Sequence, residues 1–189
     1  MKQKIKPILA SALVSIMLCS TALAASFPDV DESADYAEAV DYLSDVGIMV
    51  GDDLGNINPN KPVTRAEMAT IICRLVGESQ NLTKHNDFID VPVEHWANAY
   101  INKAVELGII NGYGDKRYGP SDIVTYEQAL TMIVRAMGLE DSAKAQGGYP
   151  TGYVTVAKNY GCDEGLTLEG MAPLDRWQVA IILNNSFGW

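Results

Sequence analysis

The chain has 189 residues, 48% of them hydrophobic, with 24 Asp and Glu against 14 Lys and Arg and a formal net charge of −10. That length allows one or two domains, and the acidic excess leaves no basic face of the kind nucleic-acid binding depends on. Two histidines and three cysteines, without CxxC or HxxxH spacing, are too few for a standard zinc site, so neither a metal nor another cofactor is expected.

The chain opens with Lys2, Lys4 and Lys6, an apolar run from Ile8 to Leu18 and the small-residue triplet Ala22-Leu23-Ala24. These features read as a secretory signal peptide over residues 1–24. The apolar run is shorter than the roughly 20 residues of a membrane-spanning helix, so an exported protein with no membrane segment after cleavage is expected. Losing three lysines and no acid takes the net charge from −10 to −13. Cys19 leaves with the leader. Export permits one disulfide between Cys73 and Cys162, but Cys73 lies between Ile72 and Arg74 in a helical pattern that favours a buried thiol.

A repeat organises the rest of the chain. Phe27-x-Asp29-Val30, Gly47-Ile48, Gly51, Pro59, Thr64, Arg74 and Gly77 return as Phe88-x-Asp90-Val91, Gly108-Ile109, Gly112, Pro120, Thr125, Arg135 and Gly138, with every pair 61 positions apart. In the first unit (26–86), Tyr36, Ala39, Val40, Leu43 and Val46 keep the i, i+3, i+4, i+7 rule of a one-sided helix. Gly47 ends that helix, 51–63 reads as an ordered loop rich in Gly, Asn, Asp and Pro, and Met68, Ile71, Ile72 and Leu75 mark a second helix. The second unit (87–147) repeats the order, with Ala97, Tyr100, Ile101, Ala104 and Leu107 on its first helix and Ala129, Met132, Ile133 and Ala136 on its second. A worn third unit (148–189) carries Tyr153, Val154, Ala157 and Tyr160 before Gly161, at a spacing of 53, and then Asp175-Arg176-Trp177-Gln178-Val179-Ala180. Its loop is shorter, and it lacks the Phe-x-Asp-Val opening. Each unit is helix, loop, helix, so an all-α fold is expected, with no stretch left for a separate catalytic domain.

The repeated polar positions have definite chemistry. Thr64 and Glu67 form a capping-box pattern ahead of an apolar run, and Thr125 with Gln128 and Asp175 with Gln178 hold the same places. Three residue pairs in one role point to structural caps. Arg65 and Arg176 face the positive end of a helix dipole, a slightly costly position. They suit an anion held by the guanidinium together with free helix-start amides, or else a solvated or ion-paired arginine. On the first reading Arg65→Ala removes binding and leaves the melting temperature nearly unchanged. The second unit has Tyr126 instead. Asp29 and Asp90 either hold a turn beside a core-anchored phenylalanine or accept from a hydroxylated ligand. Trp96 is either core packing, the plainer reading, or a sugar-stacking face. Asp52–Asn58 lacks the alternating acids and distal glutamate of a calcium loop, and His85 and His95 have no nucleophile pattern around them.

Together, Phe27-x-Asp29-Val30, Gly47-Ile48-x-x-Gly51, Asn58-Pro59 and Val63-Thr64-Arg65-Ala66-Glu67 resemble the S-layer homology domain, and the resemblance extends over about residues 26–189. It implies a non-catalytic wall anchor of three units packed as a pseudo-threefold spindle around a central helical bundle. Grooves between the units would bind secondary cell-wall polysaccharide, commonly pyruvylated, at the bacterial surface. By the same resemblance Arg65 and Arg176 become recognition residues, Asp29 and Asp90 groove aspartates, and Gly51 and Gly112 positions where a side chain would obstruct a sugar. Trp96 joins them as a sugar-stacking candidate. A surface protein that self-assembles into a lattice, or an adaptor for other S-layer or surface proteins, would use the same repeat surfaces without polysaccharide.

Overall fold

A computed structural model describes residues 27–188. The leader over 1–24 and Cys19 lie outside the described residues. Among those described there are seven helices and no strand: α1 (Ala37–Asp45), α2 (Arg65–Leu75), α3 (Asn98–Glu106), α4 (Tyr126–Ala136), α5 (Glu140–Ala145), α6 (Thr151–Asn159) and α7 (Arg176–Phe187). None of them is long and apolar enough to cross a membrane.

Local sequence explains most of these boundaries. The apolar stripe of α1 buries Ala37, Ala39, Val40 and Leu43, and its turn unwinds at Gly47 with φ +73°, a conformation costly for a residue with a Cβ. Gly108 and Gly161 do the same after α3 and α6, at +71° and +72°. Thr64 and Glu67 form the capping box of α2, Thr125 and Gln128 that of α4, and Asp175 and Gln178 that of α7. The short α5 has no apolar period to announce it; it buries only Ala143 and starts with Glu140 and Asp141 at the favourable end of its dipole.

The first helix of each unit packs on the second helix of another: α3 on α2, α6 on α4, and α1 on α7. This cyclic exchange places α2, α4 and α7 at the centre, where Val63, Met68, Val124, Leu130, Leu174 and Val179 are fully buried. A ring of three backbone hydrogen bonds closes one end of the bundle. Val63 N–H donates to the carbonyl of Leu174 (2.9 Å), Leu174 N–H to that of Val124 (3.2 Å), and Val124 N–H to that of Val63 (2.9 Å). Those three residues immediately precede the three capping residues, so one local motif serves both the helix start and the threefold junction.

The cysteines are two separate buried thiols. Cys73 donates to the carbonyl of Tyr100 at 3.3 Å, and burial pushes its thiol up to about 12. Cys162 lies 4.0 Å from the sulfur of Met137. The two cysteines form no disulfide with each other.

Candidate ligand-binding grooves

The cyclic packing brings the start of each central helix against the loop of the next unit. The amide of Arg65 donates to the carbonyl of Asp122 (2.8 Å) and that of Ala66 to Pro120 (3.1 Å). Tyr126 and Glu127 donate to Ala172 and Gly170 at 2.8 and 3.3 Å, and Arg176 and Trp177 to Lys61 and Pro59 at 3.1 and 3.0 Å. The first two amides of every central helix are therefore occupied, which corrects the expectation of free amides waiting for an anion. The loop carbonyls that cap them also bring negative partial charge to the dipole's positive end.

The guanidinium of Arg65 enters the same seam. Its Nε donates to the carbonyl of Tyr118 and its Nη2 to that of Asn111, both at 3.0 Å, and the Tyr118 hydroxyl donates back to the Arg65 carbonyl at 2.8 Å. The rings of Tyr118 and Tyr113 lie 4.5 and 4.8 Å from the guanidinium carbon. Arg176 repeats the arrangement on the first unit's loop, donating from Nε to Ile57 (2.6 Å) and from Nη2 to Val50 (3.0 Å). Ile57 and Val50 are the first-unit equivalents of Tyr118 and Asn111 at the repeat's spacing. Burial draws the Arg176 guanidinium below the ordinary arginine value, against the opposing charges of Glu67, Asp29 and Asp52. Both side chains are buried, at 4% and 9% exposure, yet Nη1 of each makes no hydrogen bond to the described residues. Both arginines thus tie units together and still have a donor to offer. Arg65→Ala would leave two loop carbonyls without their charged donor, so near-unchanged melting is no longer expected.

At the third seam Tyr126 stands in place of the arginine. Its side chain is 1% exposed, and its hydroxyl donates to Asp163 Oδ2 at 2.6 Å.

Asp29 and Asp90 hold loops. Asp29 accepts from the amides of Ile57 (3.0 Å) and Asn58 (2.7 Å), and Asp90 from those of Tyr118 (2.9 Å) and Gly119 (2.8 Å). Each carboxylate fixes the loop whose carbonyl receives an arginine, so its effect on the groove is one of positioning. Gly51 and Gly112 are required by the fold itself. A Cβ at Gly51 would meet the Phe27 ring and the Asn56 carbonyl at 3.0 Å, and one at Gly112 the Phe88 ring at 2.5 Å and the Arg117 carbonyl at 2.7 Å. The obstruction is internal, between loop and phenylalanine. Trp96 departs from the plainer expectation of core packing: it is 58% exposed and stacks on His95, with ring centres 5.9 Å apart, because the buried residue of that turn is Ala97.

Two cavities open over the arginines. One, of about 380 Å³, is lined by Arg65, Gly112, Tyr113, Thr131, Arg135 and Tyr149, among others. The other, of about 160 Å³, includes Gly51, Asp52, Asn58, Lys61, Glu67 and Arg176. Tyr149 matches Trp96 at a spacing of 53, and of the two only Tyr149 lines one of these cavities. Sequence reasoning passed over Tyr149, because no motif surrounds it. It also passed over Asn98 and Asn102, buried on α3, whose amides hold the inter-unit segment through the His85 carbonyl at 2.9 and 3.2 Å. Their i, i+4 spacing on a buried face was the available signal.

Known proteins resemble the chain in sequence over the same units. Residues 26–69 and 88–130 match the family model of the S-layer homology domain. The chain is 33% identical to a "Cell surface protein" of Thermoanaerobacter kivui over 98% of its length, and 33% identical to a "Middle cell wall protein" of Brevibacillus brevis, again over 98%. A "Cellulosome-anchoring protein" of Acetivibrio thermocellus is 29% identical over 59% of the chain. The chain spans 24%, 18% and 26% of these three relatives.

Proposed function

On the premise that the chain carries two segments of the S-layer homology domain, we propose that it is a non-catalytic anchoring module at the bacterial cell surface, holding to secondary cell-wall polysaccharide through its inter-unit grooves. The observation that carries this reading is Arg65, a buried guanidinium with one unbonded nitrogen at a cavity of about 380 Å³. A guanidinium fixed by two carbonyls is pre-organised, so little rotamer entropy remains to be lost when a carboxylate binds. A pyruvate ketal presents such a carboxylate on a sugar. The worn third helix-loop-helix completes the bundle on this reading and supplies α7 with Arg176.

The mature chain's charge of −13 does not oppose an anionic polymer at the docked contact, because the Debye length at physiological salt is about 8 Å. Distant acids slow encounter more than they loosen the bound state. The test is retention on purified cell walls before and after removal of pyruvyl groups. Retention is expected on intact walls and loss on stripped ones. Equal retention on both would overturn the pyruvate reading, and sedimentation of the protein without walls would favour lattice assembly.

A further inference from the structure

We infer that the second unit carries a further ligand site, away from the arginine grooves, in which a primary ammonium group on a short apolar stem donates to the side-chain carbonyl of Asn102 and pairs with Asp87. The site is separate from the grooves assigned to polysaccharide and does not depend on them.

A cavity of about 260 Å³ lies between α3 and the segment joining the first two units, with Leu82, His85, Asp87, Asn102, Lys103, Val105 and Glu106 among its lining. Asn102 is the most buried of these, at 6% exposure. Its Nδ2 donates to the His85 carbonyl (3.2 Å) and to Asn98 Oδ1 (3.0 Å), which fixes the orientation of the amide, and its Oδ1 accepts from no described residue. A polar atom held in so buried a side chain is costly to leave without a donor. The other units do not offer it. Asp41 and Thr155 hold the equivalent positions, and the Thr155 hydroxyl donates to the Thr151 carbonyl at 2.8 Å.

The rest of the lining selects among donors. Two carboxylates, Asp87 and Glu106, accompany one cation, Lys103, which is already held between Glu106 (3.3 Å) and Glu78 (3.4 Å). Asp87 has no ionic partner among the described residues, and Nε2 of His85 is taken by the Thr83 hydroxyl at 2.9 Å. An anionic ligand would add to this negative excess, and an alcohol would leave Asp87 unpaired. A primary ammonium brings a positive charge and three N–H donors together, enough for both the carbonyl and the carboxylate. Leu82 and Val105 give a carbon stem an apolar wall. The cavity is smaller than the roughly 300–1,000 Å³ of drug-sized sites, which suits a stem of a few carbons.

NMR titration of the folded protein with ethylammonium tests this. The side-chain amide of Asn102 and the methyl groups of Leu82 and Val105 should shift saturably. Tetramethylammonium, with the same charge and no N–H, should leave them unmoved at the same concentration. Asp87→Asn, which removes an exposed charge without a partner in the fold, should weaken ethylammonium binding at least fivefold. No saturable shift, equal shifts with tetramethylammonium, or unchanged affinity in Asp87→Asn would overturn the inference, while wall retention tests the anchoring reading separately. A free small amine and an amine borne by a wall polymer share this chemistry. Saturating ethylammonium should loosen retention on purified walls, relative to equal tetramethylammonium, where the polymer bears the amine, and should leave retention unchanged where the ligand is free.

Discussion

At the scale of single residues, one repeated position carries opposite chemistry in two units. Asn102 donates to Asn98 and to the His85 carbonyl, whereas Asp41, its first-unit equivalent, has a buried Oδ1 with no partner among the described residues. Burial raises the Asp41 carboxyl above its ordinary 3.8, and Asp45 and Glu32 raise it further. A raised folded-state value means that the ionised form costs stability at neutral pH, and that the cost fades as the pH falls through that raised value towards 3.8. Asp41→Asn should therefore stabilise the protein by about 0.5–1 kcal/mol at pH 7, discounted because the group is only partly buried. The gain should shrink towards pH 4; equal gains at both pH values in chemical denaturation would contradict the assignment. Arg65 shows where residue-level reading of sequence stops. Its place at a helix start was visible, but the amides beside it are closed by Asp122 and Pro120 in the next unit's loop, which no local pattern could reveal.

Among the elements, the central helices were legible because cap, period and glycine stop agree, whereas α5 has none of these signals. The capping boxes also carry a pH dependence. Burial alone would raise the Glu67 carboxyl, yet the Lys61 ammonium and the Thr64 amide and hydroxyl outweigh it and hold the group below its ordinary 4.5. The depressed value contributes stability that is present above pH 4.5 and lost as the pH falls through the folded-state value. Glu67→Gln keeps the neutral box seen at Gln128 and gives up the ion pair. It should lower stability by about 0.5–1 kcal/mol at pH 7, the modest figure for a pair whose lysine is solvated, and should flatten the acid limb of the stability profile. An unaltered acid limb in urea titrations from pH 3 to 7 would exclude Glu67 as its source.

For the molecule as a whole, the ring of hydrogen bonds among Val63, Val124 and Leu174 ties the starts of α2, α4 and α7 into one junction. Deleting residues 148–189 removes α7, leaves the Val63 amide and the Val124 carbonyl unpaired at the junction, and uncovers the face of α4 that α6 buries. The remaining two units should lose their cooperative thermal transition, as circular dichroism would show; a sharp melt near that of the full chain would mean that the units are independent. The constant spacing was legible in the sequence, but the cyclic order in which the helices pack was not, since α1 and α7, which meet, are the first and last helices in chain order. That seam alone is closed without a short covalent tether, through Tyr36 against Trp177 at 5.6 Å and Arg176 against Ile57. Closure therefore depends on the two ends of the chain meeting across this one seam, and a lesion in either the first helix or the last opens the same junction.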